Sequence, residues 1–422
     1  MAPVLLSLSP IVRRAPALVL ALLAACAAPP ATKPARAPDA LACPPAPASA
    51  CPTTPTPPAP PTAETRGRLA PAAWQDLPDW GREPLRPSLE AFLRSCAVLE
   101  RQEAWNAACA AARALGADVP ERDLRAFFER HFDPHQVLNA DDSATGMVTG
   151  YYEPLLRGSR TRNGRYRIPL YGVPPDLLVI DLASLHPDLK HRRLRGRLEG
   201  NRVVPYHSRG QIDNGAAPLT GQELVWVDDA VEAFFLHIQG SGQVQLDDGD
   251  RMRLGYADQN GHPFRSLGRL LIDRGELPAE RASMQGIKDW AQRNPQRVQE
   301  FLNANPSYVF FRELPRDLPG PLGALGVPLT PERSIAVDPR VIPLGVPVWL
   351  ATTWPNAATP LNRLMVAQDT GGAINGAVRA DFFWGFGDAA GSQAGRMRQG
   401  GLMWVLLPKG YKPNGTAVKP PA

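Results

Sequence analysis

Histidine and cysteine are scarce in this chain of 422 residues, with seven and five copies. The histidines show no HExxH or His-x-His spacing and the cysteines no CxxC, so no metal site is expected. No other cofactor is expected either. The glycines of HIQGSG, residues 237–242, do not open a helix and so do not make a dinucleotide fingerprint. There is no GxSxG elbow, and Ser241 between its two glycines lacks a convincing His/Asp partner. Charge of one sign is not in large excess: the net charge is +5. The one basic block, HRRLRGR at residues 191–197, reads as a solvated loop face, so no nucleic-acid partner is expected. A weakly basic surface instead suits an anionic polymer outside the cytoplasm. No repeat of fixed period is visible.

The apolar run at residues 15–25 is too short to cross a bilayer core of about 30 Å. Preceded by Arg13 and Arg14, it has the form of a secretory h-region. It ends in LAAC, residues 23–26, which resembles the lipobox of bacterial lipoproteins. That resemblance implies cleavage after residue 25 and lipidation of Cys26; the alternative is an ordinary signal peptide with an incidental cysteine. Each buried acyl methylene contributes roughly 0.8 kcal/mol, so a multiply acylated Cys26 would be a stable membrane anchor. Ala27 follows it, which by the same resemblance implies the periplasmic face of the outer membrane. Residues 26–85 are mostly Ala, Pro and Thr, a composition that favours extended conformers and reads as a tether.

Cys43 and Cys51 fall in that tether. Cys96 and Cys109 lie on apolar helical faces of an exported chain, where a disulfide is permitted. On one continuous helix they would stand about 20 Å apart, so a bridge requires a helical hairpin turning near residues 102–105. Two buried free thiols are the alternative.

The globular part, residues 86–411, reads as mainly β with helices (α+β). Leu89, Phe92, Leu93, Cys96 and Leu99 recur at helical spacing, as do Leu124, Phe127 and Phe128. Short β runs follow from Met147, including residues 224–227 and 233–238. Helices are predicted again at 266–274, at 284–293 with Ser283 as N-cap, and after Pro295. The chain then returns to strands at 334–337, 346–350, 364–368 and 403–407.

Residues 366–387 read VAQDTGGAINGAVRADFFWGFG. Asp369 ends an apolar run and is followed by Gly371 and Gly372, which leave the acid beside bare backbone that a ligand can approach. An Asx-type turn is the competing reading. Asp381 lies further on among aromatics, and Asp338 follows another apolar run. TGYYEP at 149–154 offers Tyr151, Tyr152 and Glu153; HIQGSG offers Gln239 and Ser241; GYADQNGH at 255–262 offers Tyr256 and Asn260. Tyrosines beside Asn, Gln and Ser are what a sugar groove needs, with flat apolar faces for rings and hydrogen bonds for hydroxyls and amides. Asp369-Thr370-Gly371 also spells the DTG of aspartic proteases, but those need two such acids sharing a proton and only one copy is present.

Together these segments resemble the membrane-bound lytic murein transglycosylase A family, from about residue 150 to 407. The motifs are TGYYEP, HIQGSG, GYADQNGHPFRSLGRLLIDR, SMQGIKDWA, NPSYVFF and QDTGGAINGAVRADFFWGFG. The C-terminal part also resembles small domains named for three aspartates, here Asp338, Asp369 and Asp381. The resemblance implies a double-psi β-barrel, residues 86–154 and 264–411, with a smaller β domain inserted at 155–263, a groove between them and a tail at 412–422. It places the catalytic acid at Asp369, with Asp338, Asp381, Gly371 and Gly372 in support. Tyr151, Tyr152, Glu153, Gln239, Ser241, Tyr256 and Asn260 would line the groove. Asn375 stands where a lysine is common, and Arg379 is a candidate to replace that charge.

The implied partner is the peptidoglycan glycan strand, and the implied reaction uses one carboxylate twice. Asp369 would protonate the oxygen between N-acetylmuramic acid and N-acetylglucosamine, then take the proton of the muramoyl C6 hydroxyl as a 1,6-anhydro ring closes. Two alternatives stand beside it: a hydrolase using Asp369 and Asp381 as acid and base, and a non-catalytic murein-binding lipoprotein.

Overall fold

Six strands close into a ring in the computed structural model of the protein, which describes residues 67–189 and 194–411. The signal segment, Cys26, Cys43, Cys51 and the tail lie outside the described residues. In ring order the strands are Gly146–Glu153, Arg398–Pro408, Pro347–Thr353, Pro360–Asp369, Ser334–Val337 and Arg379–Phe386, the last pairing back onto the first. Ser334–Val337 runs parallel to Pro360–Asp369, and Arg379–Phe386 parallel to Gly146–Glu153; the other ring pairs are antiparallel. This is the double-psi β-barrel. Pro347–Thr353 is buried through all but its last residue, which explains why it reads as an unbroken apolar run rather than an alternating one. Arg398–Pro408 runs on beyond the ring to pair with Phe132–Leu138, which in turn pairs with Arg68–Pro71.

Helices cover one side of the ring. Arg86–Leu99 carries a proline in its first turn, where a missing N–H costs nothing, and buries Leu89, Phe92, Cys96 and Leu99 along one stripe. The chain turns over residues 100–102 and returns as Glu103–Ala114. This hairpin brings the Cα atoms of Cys96 and Cys109 to 5.5 Å, and the two are joined in a disulfide.

Residues 67–85, expected to be tether, are folded. Besides the strand Arg68–Pro71 they supply Trp80, whose ring meets Phe128 and Trp349 edge-on in the core. Leu77 and Trp80 are both buried, and their apolar area anchors this stretch in the core.

The inserted part is built on a six-stranded sheet in the order Val309–Leu314, Arg251–Gln259, Ser241–Leu246, Leu155–Ser159, Glu223–Val227, Ile168–Tyr171. A small three-stranded sheet accompanies it. The insertion is longer than the expected 155–263. Val309–Leu314 pairs with Arg251–Gln259, and the helices Leu267–Asp273, Met284–Arg293 and Val298–Asn303 share a core with Phe234 and Phe235. The chain therefore re-enters the barrel after Leu314.

Residues 233–238, expected as a β run, belong to the helix Ala230–Gln239. The Asp229 carboxylate caps it by accepting from the N–H groups of Val231 and Glu232. A short apolar run is ambiguous between buried strand and buried helix, and here the cap decides. Gly240 ends the helix with φ of 78°, a left-handed conformation that glycine adopts without strain.

Candidate active site

The register of the barrel assembles the carboxylates. Ala336, in the strand Ser334–Val337, lies opposite Asp369 on one side and Asp381 on the other. Asp381 in turn lies opposite Thr149, and Thr149 opposite Arg398. Residues directly opposite in neighbouring strands share a face, so Asp369, Ala336, Asp381 and Thr149 form one row across the sheet. Tyr151 and Phe383, two residues further along their strands and mutually paired, form the next row, with ring centroids 5.1 Å apart.

A β-bulge sets Asp369 into this row. Ile335 pairs with Ala367 but Ala336 pairs with Asp369, so Gln368 is the extra residue. Its fully buried amide donates to Ala91 O and Ser95 Oγ of the first helix and accepts from Ser334 Oγ. Its backbone carbonyl accepts from Leu325 N–H, which anchors the loop before the ring strand. Gly323 permits this approach, because a Cβ there would stand 2.5 Å from that carbonyl oxygen.

That loop reaches the acid. Asp369 Oδ1 accepts from the backbone N–H of Ala324 and of Thr370, both at 2.9 Å, and Oδ2 accepts from the Tyr151 hydroxyl at 3.0 Å. Burial first, and then the negative charge of Asp369, hold the Tyr151 phenol well above its ordinary pKa, so it stays a donor. Asp381 Oδ1 accepts from Thr149 Oγ1 at 2.6 Å. Burial raises the Asp381 carboxyl to about 6, with the charge of Asp369 adding to the shift against the opposing pull of Thr149 and Arg379.

Asp338 is placed differently. It accepts from the Arg340 side chain and backbone and, at 2.9 Å, from Gly376 N–H, tying the segment after Asp369 to the end of its neighbouring strand. Burial pushes this carboxyl up, but the Arg340 and Gly376 hydrogen bonds outweigh it and the net shift is downward. Asn375 accepts from Arg340 and donates to Gly372 O, so a neutral amide completes this corner. Gly371 accepts the turn-closing bond from Ile374 N–H. Arg379 donates to Thr149 Oγ1 at 2.9 Å and thereby reaches Asp381 rather than Asp369.

The other sequence candidates fall into two groups. Glu153, Gln239, Ser241 and Tyr256 gather where the insertion meets the strand of Tyr151. Gln239 Oε1 accepts from Tyr152 N–H, and Ser241 and Tyr256 flank the Gly240 turn. Glu153 lines a cleft of about 350 Å³ between barrel and insertion, accepts from Gln243 Nε2 at 2.9 Å, and is raised in pKa by burial. Tyr152 and Asn260 belong elsewhere. Strand alternation turns Tyr152 away from Tyr151, against Gly391, with its hydroxyl on Met284 Sδ. Asn260 is buried and donates both amide protons to His207 O and Pro306 O while accepting from Tyr308 and His262 N–H, which leaves nothing for a sugar. Both residues are corrections to the expected groove.

The Ala324 N–H, the bulge at Gln368 and the Thr149 hydroxyl were not anticipated. A backbone donor carries no side-chain signature, and bulges are set by pairing rather than by composition. Phe383 and Phe386 did carry a signal, two aromatics around Gly385 in the same run as Asp381.

A closed six-stranded barrel, interrupted by a sheet domain and carrying a strand-end carboxylate clamped by a phenol and two backbone amides, defines one class of protein. The family described as MltA specific insert domain matches residues 147–312, and the 3D domain matches residues 333–407. The chain is 34% identical over 299 residues to membrane-bound lytic murein transglycosylase A of Escherichia coli K12, covering 69% of this chain and 73% of that protein. The crystal structure of MltA from Neisseria gonorrhoeae, monoclinic form, aligns with a TM-score of 0.71 at 41% identity, covering 84% of this chain and 96% of that one. Escherichia coli MltA with bound chitohexaose aligns with a TM-score of 0.59 at 30% identity, covering 81% and 91%. The chain belongs to the membrane-bound lytic murein transglycosylase A family.

Proposed function

We propose that the protein is a peptidoglycan lytic transglycosylase in which Asp369 serves as acid and then as base. The observation that carries this reading is the holding of Asp369: one strand-end carboxylate oriented by the Tyr151 hydroxyl and the Ala324 and Thr370 amides. The relatives are named for this activity, and one related protein was crystallised with chitohexaose, a β-1,4-linked glycan.

The chemistry needs two proton transfers through one carboxyl. Protonated Asp369 gives its proton to the glycosidic oxygen as the bond to muramoyl C1 breaks, and N-acetylglucosamine leaves with a free 4-hydroxyl. The Asp369 carboxylate then takes the proton of the muramoyl C6 hydroxyl, whose oxygen closes on C1 to form the 1,6-anhydro ring. No water is consumed, and the acid is regenerated. Asp381, bonded to Thr149 and adjoining Arg379, supports the site rather than activating a water.

Full-length protein acting on purified sacculi should release muropeptides one water lighter than those of a lysozyme, and Asp369→Asn should release none. Products with reducing ends would instead assign the site to a hydrolase using Asp381 as second carboxylate. We further propose that the enzyme is held at the periplasmic face of the outer membrane through lipid on Cys26. Among the described residues no helix is long and apolar enough to cross a membrane. Mass analysis of the mature N-terminus tests the anchor; an unmodified cysteine would remove it.

A further inference from the structure

The cleft between barrel and insertion has charges that do not cancel. Its lining includes three guanidinium groups, Arg251, Arg253 and Arg316, and two carboxylates, Glu153 and Asp250. Arg316 forks onto Asp250 with both terminal nitrogens. Arg253 Nε pairs with Glu153 Oε1 at 3.3 Å. Both acids are thereby engaged.

Arg251 is the cation left over: among the described residues it makes no ion pair. Its nitrogens lie 3.5 Å from Gln243 Oε1 and 3.4 Å from Gln245 Oε1, at the outer limit of hydrogen bonding. Its guanidinium stands 5.7 Å from the centroid of the Phe386 ring. Two weak amide contacts and a ring thus hold a planar donor fork at the wall of the cleft without giving it an anion. Phe386, the last residue of its ring strand, is itself 40% exposed where the residues just before it are buried. An exposed ring beside an arginine fork offers a flat surface for a pyranose and a bidentate partner for a carboxylate.

We propose that Arg251 and Phe386 form a subsite for an acidic substituent of the glycan. The Phe386 ring receives a sugar and Arg251 receives the carboxylate of a peptide attached to that strand. The protein would then discriminate peptide-bearing murein from a neutral chitin-like polymer at this point. The inference rests on the proposed substrate polymer, but it concerns binding and does not require the anhydro-forming reaction.

Calorimetric titration of the full chain carrying Asp369→Asn tests it. The probes are a peptide-bearing murein tetrasaccharide, the same tetrasaccharide after amidation of its peptide carboxylates, and neutral chitotetraose. The acidic form should bind about tenfold more tightly than either other form at low salt, and less distinctly at high salt. Arg251→Gln should bring that ratio close to one, while Arg251→Lys retains part of it. Circular dichroism melting checks that the variants fold, and the amidated probe tests the charge dependence in the parent protein whether or not they do. Equal affinity of the parent for all three probes, or an undiminished ratio in a folded Arg251→Gln protein, would overturn the subsite. Hydrolytic products alongside an intact binding preference would overturn the reaction but leave the subsite standing.

Discussion

Asp369 and Asp381 stand on either side of Ala336, each paired with that one alanine from a neighbouring strand. Neighbouring strands are about 4.8 Å apart, so the two backbones are separated by roughly two strand spacings while both side chains share a face. The two acids have different partners. Asp369 is held by a phenol and two backbone amides, Asp381 by a threonine that is itself bonded to Arg379.

Tyr151→Phe should isolate the contribution of the phenol. The ring contact with Phe383 is preserved, and only the donor to Asp369 Oδ2 is lost. We expect kcat on sacculi to fall about tenfold with KM nearly constant, because orientation of the acid matters most when the proton moves. A KM rise at unchanged kcat would instead make Tyr151 a sugar contact.

Asp381 predicts a pH slope in stability. Its carboxyl titrates at about 6 in the folded protein against an ordinary value of 3.8, so between those values the folded state binds more protons than the unfolded state. Stability contributed by this group is therefore lost as pH rises from about 4 to about 6. Urea unfolding across that window should show the decline, and Asp381→Asn should flatten it. An identical slope in the variant would assign it to other groups.

Asn260→Ala should destabilise without altering the chemistry. It strands the Tyr308 and His262 amides and the His207 carbonyl, and leaves the Pro306 carbonyl with only its bond from Arg209 N–H. A loss of about 2–4 kcal/mol in unfolding free energy is expected, with kcat/KM of the folded fraction unchanged. A selective loss of glycan affinity would restore this residue to the groove.

Replacing Cys96 and Cys109 together with serine removes a crosslink across a thirteen-residue separation. Loop entropy puts the loss near 3 kcal/mol, readable as a lower denaturation midpoint in urea. An unchanged midpoint would show that the helical hairpin holds itself through packing alone.

Much of the barrel was legible because its strands are buried on both faces and read as apolar runs ending in acids. Asp369 announced itself by the glycines after it. The insertion was harder. Residues 233–238 are apolar enough for either helix or strand, and the helix follows from the Asp229 cap. The polar segments misled for a related reason: an asparagine in a glycine-rich turn looks the same whether it bonds a sugar or, as Asn260 does, four backbone groups. Tyr152 was separable from Tyr151 by strand alternation alone. The bulge at Gln368 was not, since it depends on which strand lies alongside.

The ring has a consequence for how the chain is made. Arg398–Pro408, its final strand, pairs with Pro347–Thr353, with Phe132–Leu138 and with Gly146–Glu153. Until that segment has emerged, none of those three can take its final neighbour, and the row that includes Asp369 lies in an open sheet. Contacts spanning more than two hundred residues close slowly. A polypeptide cut short before residue 398 would not be a weakened cutter of cell wall but an unfinished one, with unpaired edges in place of an active centre.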